Sequence, residues 1–272
     1  MRAADLLPEA APRLADAGVA DPARDARRLL AFALGVAPDR LMLHLHDPVE
    51  DAVITKFNAA INERCRRRPL SQIVGERLFW GRSFHVNRDV LDPRPETETL
   101  VELALAEPFG AVLDLGTGSG AILLTLLAER PEARGLGVDV SPAALAVARD
   151  NASRLGVLAD FIVSDWFSDV SDQFDLIVSN PPYIAAAEMG LLDPEVRDWE
   201  PHLALTPGGD GLDAYRRIAR EASAHLKPGA RVMVEIGPTQ GKDVAKLFRD
   251  EGFQSVNIAP DMDGRDRVVT AR

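Results

Sequence analysis

The feature that most constrains this chain is the run Val112-Leu113-Asp114-Leu115-Gly116-Thr117-Gly118-Ser119-Gly120. A strand pattern runs straight into three glycines at alternate positions, and a helical pattern starts directly after them. Glycines at that density let the backbone turn sharply and approach a ligand with no Cβ in between. A strand that hands over to a helix in this way belongs in an open α/β sheet, where ligands bind beyond the carboxyl ends of the strands. The spacing is not Gly-x-Gly-x-x-Gly, which is tuned to a pyrophosphate at a helix N-terminus. Asp139 ends the next strand pattern, 19 residues after Gly120, where a carboxylate can accept from both hydroxyls of a ribose. Loop and carboxylate together predict a nucleoside cofactor held by Asp114, Gly116, Thr117, Gly118, Ser119, Gly120 and Asp139. Asp165-Trp166 follows the third strand pattern and extends the set, with the indole against adenine and the carboxylate as an acceptor.

A second motif leaves the carboxyl end of a later strand, Phe174–Ser179, as Asn180-Pro181-Pro182-Tyr183. Two successive prolines fix two φ angles and remove two donors, so the loop presents acceptors on a rigid frame. The residue before a proline is confined to extended backbone, which steers Asn180. A side-chain amide oxygen, a carbonyl and an aromatic ring side by side suit one chemical problem. The nitrogen of an amide or of adenine is a poor nucleophile because its lone pair is delocalised. Two acceptors on its N–H groups orient that lone pair, and Tyr183 can pack on the planar group. No strong general base is required before transfer; positioning and fixed dipoles carry the catalysis. The pair of motifs predicts S-adenosylmethionine-dependent methyl transfer to a conjugated nitrogen, with Asn180, Pro181 and Tyr183 catalytic and Asn180, Pro181, Pro182 and Tyr183 binding the substrate.

Around these motifs strands and helices alternate from residue 93 to the end, which predicts a mostly parallel sheet covered on both faces. Strand patterns are Val112–Leu115, Gly135–Val140, Phe161–Val163, Phe174–Ser179 and Ala230–Ile236, with a last antiparallel pair at Phe253–Ile258 and Arg267–Thr270. Residues 1–68 are helical. Asp21-Pro22 is placed as a cap and first helical residue, Gly18 and Gly35 as stops, and Val53, Phe57, Ala60, Ile61 and Cys65 share one face. Residues 69–92 are expected to form a linker with a short hairpin, Gln72-Ile73-Val74 included among its extended residues. The predicted architecture is therefore a Rossmann-like, seven-stranded α/β methyltransferase domain over 93–272, preceded by a small helical bundle at 1–68.

Charge separates the candidate substrates. The net charge is −11, yet residues 1–75 carry 11 Arg and Lys against 10 Asp and Glu, so the excess acid lies in the sheet domain. Duplex binding is largely neutralisation of phosphates by Lys and Arg, so an acidic body argues against DNA as the partner. An adenine-N6 methyltransferase with the same four-residue loop is the competing enzyme, and a non-catalytic cofactor-binding protein the competing class. The five histidines and one cysteine form no metal-ligand spacing, so no metal is expected. No apolar run reaches the ~20 residues needed to span a bilayer, and a lone Cys65 fits a reducing cytoplasm. The arginines at 64 and 66–68 are read as a solvated helix end.

These residues resemble the protein-(glutamine-N5) methyltransferases that modify peptide chain release factors, the PrmC or HemK family. The likeness spans nearly the whole chain: the helical N-terminal segment, Pro69–Glu76, Pro93-Arg94-Pro95-Glu96-Thr97-Glu98, Asp114–Gly120, Ser164-Asp165-Trp166-Phe167 and Val178–Ile184. It implies S-adenosylmethionine held by the Gly116–Gly120 loop, Asp139, Trp166 and Asn180. It implies, too, that the substrate is the glutamine of the Gly-Gly-Gln loop in class 1 release factors, gripped by Asn180 and the Pro181 carbonyl with Tyr183 beside it. The N-terminal bundle would dock the body of the release factor. Arg94 and Glu96 are open between a loop salt bridge and a cofactor contact.

Overall fold

The computed structural model describes all 272 residues as two compact units, Met1–Glu76 with Asp193–Trp199, and Arg77–Leu192 with Glu200–Arg272. In the first unit α1 (Leu7–Asp16), α2 (Pro22–Leu34), α3 (Leu41–His44), α4 (Asp51–Cys65) and α5 (Leu70–Val74) enclose Leu14, Leu29, Leu30, Phe57 and Ile61. The Asp21 carboxylate accepts from the Arg24 N–H at 3.2 Å, Pro22 opens α2, and Gly35 closes it at φ 70°. Cys65 packs against the helical core and donates to the Arg13 carbonyl. No helix in the chain is long and apolar enough to cross a membrane.

Two expectations change here. Gln72-Ile73-Val74 is helical, not extended, and the helical unit runs on past residue 68. Leu70, Ile73 and Val74 fall at helical spacing against the core, and Gly75 stops the turn at φ 80°, so burial outweighs the strand preference of the β-branched pair. The arginines are not a solvated end either. Arg64 is buried, donating Nε to Asp25 at 2.7 Å and Nη2 to Glu195 at 3.1 Å. Arg67 closes a two-pronged pair on the same Glu195, holding its carboxyl below the ordinary range against the cost of burial. Trp199 donates to the Arg66 carbonyl, and its own carbonyl accepts from Gln72. Of the cluster, Arg66 alone points mostly to solvent.

The second unit opens with a hairpin, β1 (Glu76–Phe79) and β2 (Arg82–His85), turning at Trp80 and Gly81, both at positive φ. Then follow α6 (Glu98–Leu105), β3 (Ala111–Leu115), α7 (Ala121–Glu129), β4 (Arg134–Asp139), α8 (Pro142–Leu155), β5 (Asp160–Val163) and β6 (Phe174–Ser179). The short α9 (Pro194–Arg197) belongs to the first unit; after it the second unit continues with α10 (His202–Leu205), α11 (Asp213–Ala222), β7 (Leu226–Glu235), α12 (Gly241–Asp250), β8 (Val256–Pro260) and β9 (Asp266–Ala271). Seven strands order as β5-β4-β3-β6-β7-β9-β8. β9 runs antiparallel between β7 and β8, and the other pairings are parallel. Side chains alternate between faces: Val112, Leu176, Val178 and Met233 join the cluster with α6 and α7, while Leu113, Ile177, Val232 and Val234 join the one with α11 and α12.

Candidate active site

The strand order reverses at β3, which β4 and β5 follow on one side and β6 on the other. Such a switch point is where open α/β sheets hold ligands. Register does the rest. Leu115 on β3 pairs with Ser179 on β6, whose hydroxyl donates to the Leu115 carbonyl at 2.8 Å. Gly116, the first glycine of its motif, and Asn180, the first residue of the other, therefore leave adjacent strands at the same level. They open onto a cavity of about 600 Å3 whose wall includes Gly116, Thr117, Gly118, Ser119, Asp139, Asp165, Trp166, Asn180 and Pro182.

The three motif glycines differ in role. Gly116 (φ 67°) and Gly118 (φ 54°) line the cavity, and a Cβ on either would project into open space. Gly120 (φ 79°) is outside the wall, and a Cβ there would meet Leu124 and Ala148. Asp114 is also outside the wall. It lies wholly buried beneath the loop and accepts from the Thr117 hydroxyl at 2.7 Å, with its carboxyl pushed up to about 7 by burial. Asp139 accepts from the Gly118 N–H and the Ser141 N–H, both at 2.9 Å, and burial raises its pKa. Each carboxylate oxygen keeps a lone pair for a ligand. A floor without Cβ atoms beside a carboxylate with acceptor capacity to spare fits a nucleoside.

Trp166 lines the cavity at φ 56°, a strained conformation for a bulky residue. The Ser164 hydroxyl braces it by donating to the Trp166 carbonyl and accepting from the Asp169 N–H. Asp165 does not keep its carboxylate free: Oδ2 accepts from Arg217 Nη1 at 2.7 Å, and Arg217 itself is part of the wall.

The matches to known proteins fall on both units. The PrmC N-terminal domain family matches residues 5–75 and the Methyltransferase small domain family residues 88–192. The release factor glutamine methyltransferase of Cereibacter sphaeroides is 62% identical over 274 residues, covering 100% of this chain and 99% of that one. The chain belongs to the release factor glutamine methyltransferase family. The Rhodospirillum rubrum member is 46% identical, covering 98% of this chain and 84% of its own. Among solved structures, a methyltransferase from Pyrococcus furiosus aligns with a TM-score of 0.57 at 18% identity, over 77% of this chain and 97% of that one. At that identity the likeness is one of fold.

Two of the loop residues are placed otherwise than the family motif suggested. Pro181 is buried outside the cavity wall. The Tyr183 ring packs into the core beside Gly237, its hydroxyl pushed up to about 12 by burial, and its carbonyl accepts from Gln240 Nε2 at 2.9 Å. Tyr183 thus braces the loop from behind. Arg94 forms the salt bridge of the two alternatives, donating at 2.6 Å to the buried Glu200, whose carboxyl burial pushes up to about 7, and it also borders the cavity. Glu96 is exposed and outside the wall. Sequence reading missed Thr97, Arg217 and Glu200. Thr97 carried a signal in the stiff Pro93–Pro95 loop; Arg217 and Glu200 carried none, since their partners lie 52 and 106 residues away.

Proposed function

We propose that this chain transfers a methyl group from S-adenosylmethionine to the side-chain amide nitrogen, N5, of the glutamine in the Gly-Gly-Gln loop of class 1 peptide chain release factors. The observation that supports this most is that Asn180 opens into the same cavity as Gly116, Gly118 and Asp139. When bound, S-adenosylmethionine supplies an electrophilic methyl group on a sulfonium sulfur. The chain's own part is to hold and orient. Asp139 would hold the ribose hydroxyls with the lone pairs that Gly118 and Ser141 leave over. Trp166 and Val140, both in the cavity wall, would pack on the base.

Asn180 Oδ1, at the cavity wall, would accept from an N–H group of the glutamine amide and orient the nitrogen lone pair. Pro181 and Pro182 hold the backbone of that grip rigid, so little reorganisation is required as charge develops. Transfer would form the N–CH3 bond at the expense of S–CH3, leave the cofactor as a neutral thioether, and let the then cationic nitrogen lose its proton to water.

The test is transfer of label from S-adenosylmethionine to a purified class 1 release factor and, in parallel, to adenine-containing DNA. Expected is a single methyl group, mapped by mass spectrometry to the glutamine of the Gly-Gly-Gln loop. Label in DNA alone would refute the reading.

A further inference from the structure

Trp166 stands in the cavity wall at φ 56°, where a side chain as bulky as an indole is rarely found. Contacts outside the residue must hold it there. The φ and ψ of a residue are fixed once the two peptide planes flanking it are fixed. We propose that Arg217 is a positioning residue for the cofactor: from α11 it fixes the plane ahead of Trp166 and keeps the indole presented to the cavity before the cofactor binds. The inference rests on the proposed seat of S-adenosylmethionine in this cavity.

The plane after Trp166 is tied to the sheet. The Ser164 hydroxyl donates to the Trp166 carbonyl at 2.8 Å, and the Ser164 N–H donates to the Asp139 carbonyl at 3.1 Å. The plane ahead of Trp166 carries the Asp165 carbonyl. The Ser168 hydroxyl donates to it at 2.8 Å, but that bond lies within the turn and moves with it. Arg217 supplies the tie from outside, 52 residues further along the chain. Its Nη1 donates to Asp165 Oδ2 at 2.7 Å, and its Nη2 donates to the Asp165 carbonyl at 3.1 Å and to the Ser168 hydroxyl at 3.3 Å. Nε faces Glu221, one turn further along α11, at 3.4 Å. Every nitrogen of the guanidinium is engaged, and two of the three grip the turn. A planar fork holds the carboxylate and the carbonyl of one residue in a fixed geometry; an ammonium is a point charge and does not. The fold gains little from this pair, because the Asp165 side chain is 56% exposed and that of Arg217 31%, and exposed ion pairs contribute little to stability. A cavity wall gains more, since ordering a loop during binding subtracts from affinity.

The test uses the full chain, with S-adenosylhomocysteine as the calorimetric probe and turnover measured on a release factor at saturating S-adenosylmethionine. Arg217→Met is expected to raise the probe's Kd about tenfold, the scale of one hydrogen bond to a charged group. Its kcat stays within about twofold of wild type, because the transferred methyl group is remote from the base. Its Tm falls by no more than about 4 °C. Arg217→Lys keeps the charge without the fork and recovers little of the lost affinity, whereas a purely electrostatic role would be restored. In the Trp166→Ala background, with no indole left to position, Arg217→Met costs less than about twofold further. Unchanged affinity in Arg217→Met, full recovery in Arg217→Lys, or equal losses in the two backgrounds overturn the inference alone. A wild-type chain that does not bind S-adenosylhomocysteine overturns it together with the cofactor reading.

Discussion

Gly116, Gly118 and Gly120 look alike in the motif, and a substitution at each meets different surroundings. Gly118→Ala places a methyl group at positive φ in the open floor of the cavity. It is expected to weaken cofactor binding at least tenfold in calorimetry, while stability falls by about 1 kcal/mol, the cost of a left-handed alanine. Gly120→Ala drives the same methyl group against Leu124 and Ala148, so its main effect should be on Tm. Asn180→Ala removes a preorganised acceptor and is expected to lose roughly 10²–10³ in turnover, with cofactor Kd changing far less. Turnover that survives in this variant removes Asn180 from the mechanism. The motif made all three glycines visible as a set. Their division of labour was not legible, because it depends on what lies opposite each one: nothing for two, and α7 and α8 side chains for the third.

At the scale of elements, the sheet was legible because each strand carries apolar residues on both faces, as buried parallel strands must. The helix at Leu70–Val74 was not, since five residues with two β-branched members read locally as extended and only the core settles them. The adjacency of the two site loops was legible in outline from the topology of such sheets. The level at which they meet came only from the Leu115 to Ser179 register. The brace behind the Asn180–Tyr183 loop is a matter of elements as well. A Cβ on Gly211 would overlap the Tyr183 carbonyl oxygen, the same atom that Gln240 holds from α12's leading edge. Gly211→Ala is expected to displace the loop and lower both Tm and kcat. A variant with lowered Tm and unchanged kcat would show that the loop tolerates losing its brace.

For the whole molecule, burial of carboxyl groups sets a pH dependence. Asp114, Glu200 and Glu235 are each pushed up to about 7, chiefly by burial. Unfolded carboxyls titrate near 4, so between about pH 4 and 7 the folded chain binds more protons than the unfolded one. The stability these groups contribute is complete below pH 4 and is lost as pH rises through 7. Tm is expected to fall from pH 5 to pH 8, and Glu200→Gln to flatten that fall; a Tm that climbs over the range contradicts it. Glu195 works in the opposite direction, its carboxyl held low by Arg67 and Arg64 against the cost of burial. Glu195→Ala leaves Arg64 buried without one of its two acidic partners and is expected to cost about 3 kcal/mol, read from denaturant melts. The same pair has a consequence for biosynthesis. Residues 1–76 leave a ribosome well before Glu195, the acid that closes their charge cluster, which is encoded more than a hundred residues later. The helical unit is thus completed only after most of the sheet domain has been made, and a chain ending before residue 195 is expected to melt at a lower temperature than the full chain.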